Sequence, residues 1–127
     1  MSGPLIWVVE DNDQNFELVD FLLGEAGYSV RRARDADDLA PHLEGPAPAL
    51  VLLDMNLPSG SGLEVLARLR ADERSRGVPV VALTAHAMRG DRERFLAAGC
   101  DGYISKPIES RLFLDAVAGF LRGGRER

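Results

Sequence analysis

Apolar residues along this chain fall into two alternating patterns, short continuous runs and longer stretches with a helical period. The runs are Leu5-Ile6-Trp7-Val8-Val9, Leu50-Val51-Leu52-Leu53 and Val78-Pro79-Val80-Val81-Ala82-Leu83, with a shorter Gly102-Tyr103-Ile104-Ser105 near the end. Continuous rather than alternating apolar residues predict strands buried on both faces, as in the middle of a parallel sheet. Pro79 has no N–H for a ladder and is tolerable only where its strand begins. A further strand, Ser29 to Arg32, carries two arginines and is expected at a sheet edge, where charge discourages pairing with other molecules.

Between the runs, Phe16, Val19, Leu22, Leu23 and Ala26 recur at helical spacing and predict a first helix, with Asp13 as N-cap and Gly27 as C-terminal stop. A second helix should begin near Asp35. Pro41 falls inside it and removes a backbone donor, which predicts a kink or a late start. Gly45-Pro46-Ala47-Pro48 then forms a stiff link into the Leu50 run. Ser61 and Glu64 have the spacing of a capping box, and Leu63, Leu66 and Leu69 mark the inner face of a third helix that fades by Asp72. A fourth helix, from about Gly90 to Ala98, is charged on most sides. It has few apolar anchors beyond Phe95 and Leu96 and should pack loosely. Phe113, Ala116, Val117, Phe120 and Leu121 place a fifth helix on the core behind a Ser110 cap.

Strand and helix thus alternate five times. With right-handed crossovers, that pattern predicts an α/β fold, a flavodoxin-like doubly wound (βα)5 with a five-stranded parallel sheet of order 2-1-3-4-5. One domain is expected over residues 1–127, with no linker to an output domain.

Composition narrows the function. With 46% hydrophobic residues, 28% charged residues and a net charge of -5, the chain has the make-up of an ordinary globular domain and lacks the clustered positive charge of a nucleic-acid binder. No apolar stretch approaches the length of a membrane span, and Met1-Ser2-Gly3-Pro4 lacks the regions of a signal peptide. The single cysteine, Cys100, leaves no intramolecular disulfide and fits a reducing compartment. A cytoplasmic protein with no nucleic-acid or membrane partner is expected.

The ends of the runs carry the chemistry. Strand one ends in Glu10-Asp11, strand three in Asp54, strand four in Thr84 and strand five in Lys106-Pro107. In the 2-1-3-4-5 order, strands one and three lie side by side at the switch point, so Glu10, Asp11 and Asp54 converge in one crevice. Carboxylates about 4 Å apart repel by about 4 kcal/mol per pair near a protein surface, which calls for a compensating cation. An all-oxygen cluster suits a hard divalent ion, and magnesium fits best. Lys106 is the one Lys among 15 basic residues, and a compact ammonium can enter a crowded pocket that a planar guanidinium would overfill.

The set Glu10-Asp11, Asp54, Thr84-Ala85 and Lys106-Pro107 on these strand ends resembles the receiver domain of two-component response regulators. The resemblance runs from roughly Leu5 to Leu121. Within the family, the stretches from Leu83 to Met88 and from Ala98 to Pro107 look like the stand-alone, DivK-like regulators and also like receivers within hybrid histidine kinases. The resemblance implies that Asp54 is the phosphoacceptor, taking a phosphoryl group from a phosphohistidine of a kinase or phosphotransferase. It implies magnesium held by Asp11, Asp54 and the backbone carbonyl of Asn56, with Glu10 acting through a metal-bound water; the family often has Asp where Glu10 stands. Thr84 and Lys106 would contact phosphoryl oxygens, and Tyr103 would be the aromatic whose rotamer follows Thr84. The output surface would be the fourth helix, fifth strand and fifth helix, facing a downstream protein target, in a monomer or weak dimer. The Lys106-Pro107 bond would be cis. Such a chain is a self-phosphorylating and self-dephosphorylating acceptor rather than an enzyme.

Other readings are weaker. A phosphatase with an aspartyl nucleophile needs a second acid two residues on, where Asn56 stands. A flavodoxin-like module that binds flavin would be coloured when purified. A receiver that is never phosphorylated usually lacks part of the acidic set. His86 has no Ser or Cys nucleophile to serve and reads as a loop residue tuning access to Asp54. Ser59-Gly60-Ser61-Gly62 lacks the ending of a phosphate-cradling loop and reads as a turn with a helix cap. Trp7 and Cys100 read as core, and His42 as solvated.

Overall fold

The computed structural model describes residues 3–55, 62–84 and 89–123. Ten elements follow one another as β1 (Leu5–Val9), α1 (Asp13–Glu25), β2 (Ser29–Ala33), α2 (Ala36–Leu43), β3 (Leu50–Asp54), α3 (Gly62–Ala71), β4 (Val80–Thr84), α4 (Arg89–Ala98), β5 (Gly102–Ser105) and α5 (Ser110–Leu121). All strand pairs are parallel and the sheet order is β2-β1-β3-β4-β5. This is the flavodoxin-like doubly wound fold.

The central strands β1, β3 and β4 are apolar up to the residues at their carboxyl ends because both faces are covered, and successive side chains point to opposite faces. Trp7, Val9, Val51, Leu53, Val80 and Ala82 form one core with Leu39 of α2, Leu66 and Leu69 of α3 and Phe95 of α4. Ile6, Val8, Leu50, Leu52, Val81 and Leu83 form the other with Val19, Leu22 and Leu23 of α1 and Phe113 and Val117 of α5. The arginine-bearing β2 is at the edge, as its charge predicts.

Several local expectations are corrected. Asn12, not Asp13, caps α1: its backbone is extended and its side chain accepts from the Asn15 N–H at 2.9 Å, leaving Asp13 as the first helical residue. Gly27 does follow the helix end, at a φ of 93° that favours glycine. The second helix has no late start. Asp35 caps it by accepting from the Asp38 N–H at 2.9 Å, and Pro41 sits in the last turn. Pro79 precedes β4 rather than opening it, yet its carbonyl still accepts from the Val51 N–H. In α3, Val65 takes a buried place while Leu63 is half-buried. Glu109, not Ser110, caps α5, its carboxylate accepting from the Arg111 and Leu112 N–H groups. His42 is not solvated but 9% exposed. Its Nε2 donates to the Arg32 carbonyl at 2.8 Å, and its ring meets Trp7 edge-on. Among the described side chains of α4, Phe95 is the one that is buried, in line with its sparse anchoring. The predicted cap Ser61 lies outside the described residues, as does the rest of the Ser59-Gly60-Ser61 turn.

Candidate functional site

The acids reach one place because the sheet ladder continues past the strand ends. The Glu10 N–H donates to Ala33 O at 3.0 Å, Met55 N–H to Leu83 O at 3.1 Å and Lys106 N–H to Thr84 O at 2.8 Å. Each bond holds its strand end in register, so β1, β3, β4 and β5 deliver Glu10, Asp54, Thr84 and Lys106 to a single edge. Glycine at position 62 allows the start of α3 to approach closely. A Cβ there would lie 2.7 Å from Met55 Sδ and 2.8 Å from Met55 Cα, so any other residue would push α3 away from the residue that follows Asp54.

Carboxylate oxygens of Glu10, Asp11 and Asp54 all lie within 4.8 Å of one another. Glu10 and Asp54 are almost fully buried and Asp11 is half-buried. Lys106 Nζ stands 3.3 Å from Asp54 Oδ1 and 3.6 Å from Glu10 Oε1. One ammonium thus faces two of the three clustered acids. Burial first, and then the neighbouring Asp54 carboxylate, push the Glu10 carboxyl up to about 7. Glu10 Oε2 accepts from the Asn12 N–H at 3.2 Å, whereas Oε1 is buried without a hydrogen bond. An orphaned oxygen among three crowded carboxylates fits a hard divalent cation.

Thr84 is buried beside this cluster, and Tyr103 lies half-buried on β5, against the core face that α4 covers. A cleft of about 170 Å³, lined by Glu10, Asn15, Leu18, Lys106, Pro107 and Ile108, opens next to the cluster. The Lys106-Pro107 bond is cis. Asn56, Ala85 and His86 lie outside the described residues. Cys100 is buried, which pushes its thiol up to about 11 and fits a small core residue. Sequence reasoning gave Arg32 and Asp13 no part in the site. Arg32 Nε donates to the Glu10 carbonyl at 3.0 Å and its Nη2 pairs with Asp13 Oδ1 at 2.9 Å. The available signal was an arginine at the end of the strand next to the one that ends in acids.

A family model described as the response regulator receiver domain matches residues 6–118. The chain belongs to that family. Receiver domains of this kind work in two-component signalling, and the acid cluster here is compatible with their magnesium site. The chain is 40% identical over 116 residues to the polar-differentiation response regulator DivK of Brucella ovis, covering 91% of this chain and 94% of that protein. Among solved structures, it is similar to the receiver domain of a sensor histidine kinase from Pseudomonas aeruginosa PAO1, determined with a magnesium ion coordinated in its active-site cleft. The TM-score is 0.84 at 33% identity, covering 97% of this chain and 100% of that one. A putative response regulator from Chloroflexus aurantiacus gives a TM-score of 0.88 at 26% identity, covering 95% and 99% of the two chains. Among the described residues, no helix of this receiver domain is long and apolar enough to cross a membrane.

Proposed function

We propose that this receiver domain accepts a phosphoryl group on Asp54 from the phosphohistidine of a histidine kinase or phosphotransferase, and signals through the surface formed by α4, β5 and α5. The observation that carries the proposal is a buried carboxylate on a central strand, 3.3 Å from an ammonium and within 4.8 Å of two further acids. In the transfer, an Asp54 oxygen attacks phosphorus, the P–N bond to the donor imidazole breaks, and that nitrogen leaves with the bonding electrons. Such a reaction needs positioning and charge neutralisation more than covalent chemistry. Asp11 and Asp54, with the Asn56 carbonyl and Glu10 as an outer acid, would hold magnesium, which supplies charge neutralisation at the carboxylates and phosphoryl oxygens. Lys106 pairs with one phosphoryl oxygen and the Thr84 hydroxyl donates to another. Tyr103 follows Thr84 and changes the face that a downstream protein reads.

In this reading the chain is a cytoplasmic single-domain phosphoacceptor, a monomer or weak dimer, and self-catalysed phosphorylation and dephosphorylation are its only reactions. A second reading, a receiver within a hybrid histidine kinase, is favoured by the likeness to the Pseudomonas kinase receiver. Phosphotransfer profiling against the histidine kinases of the source organism tests both. Rapid transfer from one separate kinase supports the first, and transfer only within a longer kinase chain supports the second. Failure of every phosphohistidine donor and of acetyl phosphate would overturn the acceptor role.

A further inference from the structure

Asp11 makes no hydrogen bond or ion pair among the described residues, so its place in the acid cluster is set by its neighbours. Two residues that flank it, Glu10 directly before it and Asp13 two positions after it, are held by one side chain. On the N-terminal side, the Glu10 carbonyl accepts from Arg32 Nε at 3.0 Å. On the C-terminal side, Asp13 at the start of α1 pairs with Arg32 Nη2 at 2.9 Å. The same guanidinium lies over the Phe16 ring at 4.5 Å, one turn along α1, which fixes its plane. Arg32 is itself held from behind, because its carbonyl accepts from His42 of α2 at 2.8 Å. The guanidinium therefore spans the turn from Glu10 to Asp13 as a strut anchored in β2.

We propose that Arg32 is a positioning residue for the divalent-cation site, acting on Asp11 and Glu10 through the backbone rather than by touching the ion. The inference rests on reading Glu10, Asp11 and Asp54 as that site. Its electrostatic alternative has the opposite sign. A cation near three acids competes with a metal, so removing its charge alone would tighten magnesium binding, whereas removing a strut weakens it. Arg34 supplies the control. It also pairs with Asp13, at 3.1 Å, and carries the same charge, but it makes no bond to Glu10.

The test is magnesium affinity measured by calorimetry on the unphosphorylated protein, alongside thermal unfolding in metal-free buffer. Arg32→Ala is expected to weaken binding about tenfold, the scale seen when outer partners of metal ligands are removed. Arg34→Ala should bind as well as wild type or better. Arg32→Lys keeps the charge and the stem but loses the fork and the ring stack, so it should show a smaller loss of the same sign. It also serves if the alanine variant does not fold. Wild-type or tighter affinity in the folded Arg32 variants would overturn the inference, even if they melt earlier. A wild-type protein that binds no magnesium would overturn the metal-site reading and this inference with it.

Discussion

Two acid-and-cation clusters sit at opposite ends of the sheet and are built on opposite principles. At the end away from the crevice, Arg70 Nη1 donates to the carbonyls of Arg76 and Val78 at 2.9 and 2.7 Å, and Nη2 to Gly99 O and Asp101 Oδ2 at 2.8 and 3.0 Å. Asp101 in turn accepts from the Val80 N–H at 2.8 Å. The Arg70 guanidinium meets the Asp101 carboxylate at hydrogen-bond distance, and α3, β4 and the turn before β5 are tied together. At the crevice, Lys106 stands 3.3 and 3.6 Å from two of three clustered acids, and a buried Glu10 oxygen goes unbonded. A saturated cluster serves the fold. An unsaturated, like-charged one is kept at some cost in stability because a ligand completes it, which is how functional sites commonly depart from the rules that the rest of a fold obeys.

The contrast is broken most sharply by Asp54→Ala, which should abolish phosphoryl incorporation from acetyl phosphate, read by intact-mass spectrometry, without lowering thermal stability in metal-free buffer. Undiminished incorporation would move the acceptor elsewhere. Arg70→Met should do the reverse. It removes the Arg70 cation, and its bonds to three carbonyls, from beside the buried Asp101 carboxylate and should cost about 3 kcal/mol in urea unfolding, while the folded fraction still takes up phosphate. Smaller in effect, Lys106→Arg should fold and bind magnesium yet lose about 1.5 to 3 kcal/mol of coupling between phosphorylation and the output surface, the value of one charge-assisted hydrogen bond. Its readout is the spectral change near Tyr103 on adding beryllofluoride, and a full wild-type response would show that only the charge matters.

The mildest effect is a pH slope. Glu10 titrates near 7 in the folded protein against 4.5 as an ordinary side chain, so between those values the folded state holds a proton that the unfolded chain has released. Stability in metal-free buffer should therefore fall as pH rises through that window, by no more than about 1.4 kcal/mol per pH unit for a single proton. Glu10→Gln should flatten the slope. A slope unchanged in that variant would assign it to another group.

What could be read in advance divides along the same line as the two clusters. The strand ends that form the crevice were legible because each apolar run stops at a chemically distinct residue, and strand order then decides which ends meet. The helix caps were less so. Asn12 and Asp13 are both capping types, and adjacent candidates differ only in which residue stays extended. Likewise Ser110 was displaced by Glu109, whose longer side chain reaches two N–H groups. His42 looked solvated because the helix around it is weak, but its place over Trp7 comes from how α2 lies on the sheet.

The amino-acid pattern alone determined the parallel five-stranded sheet, its order, and the meeting of Glu10, Asp11, Asp54, Thr84 and Lys106, because apolar periodicity and crossover handedness depend on local residues and chain connectivity. Tertiary structure alone decided that Arg32 braces the acid turn, that Arg70 is saturated by three carbonyls and one carboxylate, and that one Glu10 oxygen is left unbonded. The longest of these contacts, Arg32 to Glu10, Arg70 to Gly99 and Arg70 to Asp101, join residues 22, 29 and 31 positions apart through the reach of long side chains. Reach of that kind depends on where neighbouring elements lie to within about 1 Å, and a hydrogen bond is lost over less than that distance.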